Sequence, residues 1–143
     1  YGVEPSEEMR AIAKRKIPGL QVWDGDFLNF PEINEPINSI VSSYAFHHLT
    51  DEEKSEAISI YAKMLKHGDK IVFADSIFED EVALQEMIEQ AKSKGYFNLL
   101  QDLETEYYST ITVFKKMFGD NGFEVSFKQM NNFVWVIEAV KIS

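Results

Sequence analysis

The chain has 143 residues, the length of about one domain, and at 45% hydrophobic with 13% aromatic it carries enough apolar surface for a core. Fourteen Lys and Arg against 24 Asp and Glu give a net charge of −10, the wrong sign for a nucleic-acid backbone or an anionic membrane, where basic side chains supply the affinity. The absence of cysteine excludes disulfides, thiolate nucleophiles and Cys-type zinc sites, and suits a reducing, cytoplasmic setting.

Tyr1-Gly2-Val3 reads as a strand end broken by Pro5, without the basic and apolar pattern of a signal segment. A chain that opens inside a structured element, with Tyr rather than Met, is expected to be a fragment of a longer polypeptide. Ser6 caps a predicted helix whose first turn carries Glu7 and Glu8, where the helix dipole favours acids, and whose Met9, Ile12 and Ala13 form a helical apolar stripe. Pro18-Gly19 ends it. Leu20 to Trp23 is a short strand running into Asp24-Gly25-Asp26, and residues 37 to 44 read as a buried strand.

Thr50-Asp51-Glu52-Glu53 has the form of a capping box and predicts a helix to about Lys66, with Ala57, Tyr61, Met64 and Leu65 on its apolar face and Gly68 as its left-handed stop. A strand follows at residues 70 to 75. A second acidic helix is expected from Glu79 to about Lys94, interrupted by Gly95; residues 96 to 109 read as irregular, and Ser109 or Thr110 opens a helix ending at Gly119. The β-rich runs 123 to 127 and 133 to 140 are joined by too few residues for a helix, so they are expected to be antiparallel neighbours. The pattern predicts an α/β fold: a parallel sheet closed by an antiparallel pair.

Glu4 stands just past a strand end and before a helix start, the place where an acid in a doubly wound fold accepts hydrogen bonds from ribose hydroxyls. The plainer reading is an acid that complements the helix dipole. Asp24-Gly25-Asp26-Phe27 follows the next strand and offers a carboxylate for a base edge, a glycine for close backbone approach and an aromatic ring. Asp-Gly is also the commonest turn dipeptide; two acid-bearing strand ends about 22 residues apart say more than either alone.

Gly2-Val3-Glu4-Pro5-Ser6, Gly25-Asp26-Phe27, the run Ile40-Val41-Ser42-Ser43-Tyr44-Ala45-Phe46-His47-His48-Leu49-Thr50-Asp51-Glu52 and the antiparallel ending together resemble class I S-adenosylmethionine-dependent methyltransferases, more narrowly the small bacterial methyltransferase-domain 11/25 type. The resemblance covers almost the whole chain. It implies a Rossmann-like doubly wound sheet of strand order 3-2-1-4-5-7-6 with strand 7 antiparallel, and S-adenosyl-L-methionine as cofactor. It further implies that Glu4 binds the ribose with Pro5 and Met9 near the adenine, that Gly25, Asp26 and Phe27 meet the adenine, and that Ser43 and Tyr44 face the methionine part and the transferred methyl. Residues 1–143 would then be the C-terminal three-quarters of one methyltransferase domain, with residues 79 to 112 a substrate-covering insertion.

One departure stands out. The family's glycine-rich loop after its first strand is missing: the glycines are at 2, 19, 25, 68, 95, 119 and 122, and no two make Gly-x-Gly. Tyr1 to Glu4 matches the second family strand, so the first strand and helix are expected upstream. A segment lacking the central strand is expected neither to bind the cofactor tightly nor to fold robustly alone.

Methyl transfer from a sulfonium is an in-line displacement, which asks the protein to align an acceptor lone pair and exclude water. His47 and His48, after the strand whose end faces the cofactor, are the candidate catalytic bases; the alternative is that one of them only fixes the turn. His67, at a helix C-terminus, is expected to be a dipole partner. Asp75 is a candidate for the substrate pocket or, otherwise, a cap for the next helix. Tyr107 and Tyr108 belong to an aromatic stretch expected to cover a substrate. A metal site is not expected, because a His-His pair without spaced acids is poor ligand geometry. The charge leaves a small-molecule methyl acceptor first, with no nucleic-acid or membrane partner. The competing readings are a nicotinamide-dependent oxidoreductase and a methyltransferase-like binding module without activity.

Overall fold

Pro5 has no N–H to give a sheet ladder, and it stands two residues beyond the first strand, Gly2–Val3 (β1). The computed structural model describes residues 1–143, which form two compact units, Tyr1–Pro36 and Ile37–Ser143.

In the first unit the Ser6 hydroxyl accepts from the Met9 amide at 3.3 Å, opening the helix Glu7–Lys16 (α1) with acids in its first turn and Lys14, Arg15 and Lys16 in its last. The expected stripe is shallow: Ile12 and Ala13 are half-buried and Met9 is exposed. Val22–Trp23 (β2) pairs in parallel with β1, Gly2 opposite Val22 and Val3 opposite Trp23. The Tyr1 ring stacks on Trp23, centroids 5.3 Å apart.

The second unit is built on a sheet of Ser39–Ser43 (β3), Lys70–Ser76 (β4), Phe123–Gln129 (β5) and Val134–Lys141 (β6), in the spatial order β3-β4-β6-β5. β3 and β4 are parallel; β6 runs antiparallel to both β4 and β5. The α/β class and the antiparallel ending are therefore present. Within the second unit the order β3-β4-β6-β5, with β6 antiparallel, has the form expected of places 4-5-7-6. Period-two alternation buries Ile71, Phe73 and Asp75 on one face of β4. Phe46, Phe73, Phe114, Phe118 and Ile137 fill the core beside it, with the Phe46 and Phe73 rings 4.8 Å apart.

The capping box forms as expected: Thr50 Oγ1 accepts from the Glu53 amide and the Glu53 carboxylate accepts from the Thr50 amide, opening Asp51–Met64 (α2). Two details differ. The helix stops at Leu65, and Gly68, at φ +89°, serves the next turn, where Asp69 accepts from the Lys66 amide. The buried face is Lys54, Ala57, Ile58 and Tyr61, so a lysine occupies a core position.

Glu81–Lys94 (α3) is capped by Asp80 and closed by Gly95 in a left-handed conformation, φ +69°. The stretch after it is not irregular: Phe97–Thr105 (α4) is a helix, and its Leu99, Leu100 and Leu103 pack with Phe78, Ala91, Leu84, Met87 and Ile88 in a second, smaller core. The exposed aromatics Tyr96 and Phe97 blur that helical period in the sequence. Thr110 caps Ile111–Asp120 (α5), which buries Phe114, Met117 and Phe118. No helix is long and apolar enough to cross a membrane.

Candidate functional site

Parallel pairing of β1 with β2 sends Glu4 and the turn from Asp24 out of the same, carboxyl end of the two-stranded sheet. Glu4 is half-buried, and its Oε1 accepts from the Ser6 amide at 3.2 Å. Arg10, a residue the sequence reading passes over, clamps this end: its Nη1 donates to the carbonyls of Glu4 (2.9 Å) and Pro5 (3.0 Å) and lies 3.3 Å from Asp24 Oδ1. Pro5 and Met9 are both exposed.

Asp26 builds its own loop. Its Oδ1 accepts from the amides of Leu28 (2.9 Å) and Asn29 (2.8 Å), and these bonds hold the carboxyl below its ordinary pKa, Asn29 contributing most. A Cβ on Gly25 would stand 2.5 Å from the Asn29 carbonyl oxygen and 2.9 Å from Val3 Cγ1. The close approach that requires glycine here is made by the chain itself. Phe27 is half-buried beside this turn.

In the second unit, β3 delivers Ser43 and Tyr44 exposed at its end. Tyr44 is the one non-glycine residue with positive φ, +54°, and its amide donates to the Ala74 carbonyl at 2.9 Å. A left-handed tyrosine is uncommon and is held here by its neighbours. The chain then makes a single 3-10 turn at Phe46–His48.

Asp75 organises that turn. It is 2% exposed, and it accepts from the amides of Phe46 and Ser76, each at 2.8 Å, while His47 Nδ1 lies 2.6 Å from its Oδ1. It does not cap the helix that follows; Asp80 does. Because a carboxylate only accepts, His47 donates through Nδ1, which leaves Nε2 as the ring nitrogen that Asp75 does not engage. His47 also stacks on Tyr108, ring centroids 5.3 Å apart, and its carbonyl accepts from the Tyr107 amide at 3.1 Å. His48 is more open, its Nδ1 3.0 Å from Glu106 Oε2. His67 lies apart, beyond the end of α2, with Nδ1 3.3 Å from the Ile142 carbonyl.

Lys54 is the residue that sequence reasoning missed most plainly. Its ammonium donates to the Tyr107 carbonyl and to Ser109 Oγ (2.7 Å), and Ser109 in turn donates to Asp51. Burial pushes its pKa below the usual lysine value, with Asp51 and Asp75 opposing the shift. Positions 54, 57, 58 and 61 keep helical spacing, but the charge at the head of the stripe concealed where it begins. Tyr107, Tyr108, Glu106, Leu103, Leu84 and Asp51 line a cleft of about 340 Å³. Burial first, then the charges of Asp102, Glu106 and Asp75, raise the Tyr108 phenol to about 12.

The methyltransferase-domain family profile matches residues 1–68. An uncharacterized methyltransferase of Geobacillus is 56% identical over 142 residues, which is 99% of this chain and 67% of that protein. The chain belongs to the class I S-adenosylmethionine-dependent methyltransferases. A methyltransferase of Anoxybacillus flavithermus is 54% identical over 141 residues, 99% of this chain and 66% of its own length. The methyltransferase chain thus spans about two thirds of the length of these relatives. Among solved structures it is similar in fold to the YcgJ protein of Bacillus (TM-score 0.73, 16% identity, 99% of this chain and 82% of that one). It is also similar in fold to magnesium protoporphyrin IX methyltransferase of Synechocystis with bound S-adenosylhomocysteine (TM-score 0.66, 18% identity, 99% and 63%).

Proposed function

We propose that this chain forms the adenosine-binding and acceptor-facing parts of an enzyme that transfers a methyl group from S-adenosyl-L-methionine to a small molecule by in-line displacement. The observation that carries the reading is the parallel β1-β2 pair, which sets Glu4 and the Asp24-Gly25-Asp26 turn at one carboxyl end. These carboxylate acceptors fit the hydroxyls and amino group of a nucleoside. Glu4 takes the ribose hydroxyls, with Pro5 and Met9 beside the adenine; Asp26 takes its amino group, with Gly25 and Phe27 along the ring. Ser43 and Tyr44 face the methionine part. The bound cofactor supplies the electrophilic methyl.

On the acceptor side, His47 and His48 hold the acceptor's heteroatom by hydrogen bonds, His47 through the ring nitrogen that Asp75 leaves open. Tyr107 and Tyr108, from the covering segment of residues 79 to 112, close over it, and Asp75 serves the pocket from behind His47. The cleft of about 340 Å³ suits a small organic acceptor, and the net charge of −10 disfavours a nucleic-acid one. A reducing cytoplasm is the setting this chemistry fits.

Calorimetric titration of S-adenosylhomocysteine into the natural polypeptide and its Glu4→Ala variant tests the reading. Micromolar binding that weakens at least tenfold in the variant, about 1.4 kcal/mol, is expected. No binding by a folded protein overturns it in favour of a binding module without activity, with nicotinamide cofactors tested next.

A further inference from the structure

His47 and His48 have no acid directly beside them in the sequence. The fold brings one from 58 positions away: Glu106 Oε2 lies 3.0 Å from His48 Nδ1. The rings of His47 and His48 are adjacent, centroids 4.4 Å apart. One ligand-capable atom from each of His47, His48 and Glu106 lies within 4.8 Å of the other two. Nitrogen and oxygen donors at about 2.1 Å from a tetrahedral ion stand about 3.4 Å from one another. The three donors are therefore within a small side-chain movement of that spacing. The side chains that have to move are the less buried ones, His48 at 58% and Glu106 at 27% exposure against 13% for His47.

A second, independent feature points the same way. Metal-bound imidazoles are commonly fixed by a carboxylate on their other nitrogen, which sets the tautomer and raises the basicity of the ligating lone pair. Asp75 holds His47 Nδ1 at 2.6 Å from a site only 3% exposed, and its other oxygen is locked by the Phe46 amide. His47 is the half-buried, pre-oriented donor, and His48 and Glu106 are the adjustable ones.

We infer that His47, His48 and Glu106 bind a divalent transition-metal ion of the zinc and cobalt(II) class. Two imidazoles and one carboxylate suit such ions better than magnesium or calcium, which take all-oxygen shells. Three protein ligands leave a fourth position open. An acceptor hydroxyl, thiol or amine bound there would be held by the metal instead of directly by the two imidazoles, a consequence that rests on the methyl-transfer reading. Metal binding itself does not.

The test is titration of cobalt(II) alone, followed by its visible absorption, with zinc affinity then read by displacement. The protein, His48→Ala, Glu106→Gln and His67→Ala are compared, far-ultraviolet circular dichroism confirming that each is folded. The expected result is a saturable cobalt spectrum of tetrahedral intensity, with zinc binding weakened at least tenfold in His48→Ala and in Glu106→Gln and unchanged in His67→Ala. The inference is overturned by the absence of a saturable spectrum, by equal binding in the first two variants and the parent, or by loss in only one of those two.

Discussion

At the scale of single residues, the acceptor side depends on one carboxylate. Asp75 satisfies two backbone amides and one imidazole from a site where water cannot replace it. Asp75→Ala leaves buried donors unpaired, and about 3 kcal/mol of lost stability is expected, read as a lower denaturant midpoint at unchanged slope. Gly25→Ala acts by a different cause, overlap with backbone rather than loss of a bond, since the nearest atom is the Asn29 carbonyl oxygen at 2.5 Å; about 1–3 kcal/mol is expected. Tyr108 gives a pH dependence. Its phenol, raised to about 12, stays protonated in the folded protein while an unfolded chain ionises near 10. The stability this contributes is complete below pH 10 and is lost as pH rises from 10 through 12. The alkaline arm of the stability profile should therefore be flatter in Tyr108→Phe than in the parent, an outcome that equal slopes would contradict. Glu4, Asp26 and His47 drew attention in the sequence because each stands just past a strand, and Asp75 because it stands near the end of one. Glu106 did not, because nothing local marks an acid that finds its partner 58 positions away.

Between elements, the segment carrying Glu106, Tyr107 and Tyr108 is pinned at both sides. Lys54 and Asp51 of α2 hold Tyr107 and Ser109, while the turn at Phe46–His48 holds the Tyr107 amide and the Tyr108 ring. Lys54→Met keeps the length and apolar stem of the side chain but removes its donors. The Tyr107 amide should then exchange its hydrogen at least tenfold faster, about 1.4 kcal/mol, with the β4 and β6 amides unchanged. Uniformly faster exchange would mean global destabilisation rather than release of this segment. The same region shows where sequence reading stops. Strands and capped helices with plain signals, such as α2 and the β5-β6 pair, were recognisable because propensity, period and turn chemistry agreed. α4 was hidden because aromatic residues stand on its solvent side, and only the packing of Leu99, Leu100 and Leu103 against α3 gives it a buried face.

For the molecule as a whole, the two units differ in what holds each together. Ile37–Ser143 has a four-stranded sheet with strands of five to eight residues and nearly all the core. Tyr1–Pro36 has two strands of two residues each, a helix with no fully buried side chain, and Val22 as its one buried apolar residue. Units below about 40 residues rarely hold themselves together without disulfides or metals, and this chain has no cysteine. Its ladder bonds, Gly2 amide to Gln21 carbonyl at 2.7 Å and Glu4 amide to Trp23 carbonyl at 3.0 Å, are well formed but are backed by only one buried apolar side chain, Val22. The amides of Gly2 and Glu4 should therefore exchange by local opening, at least a hundredfold faster than those of Ile71 and Phe73 in β4, about 2.7 kcal/mol less protected. A nucleoside that engages Glu4 binds only the ordered form of this unit and should slow exchange there selectively. If Gly2 and Glu4 instead exchange at the rate of β4, Tyr1–Pro36 unfolds only with the whole chain, and the weak hold argued from its small core is wrong.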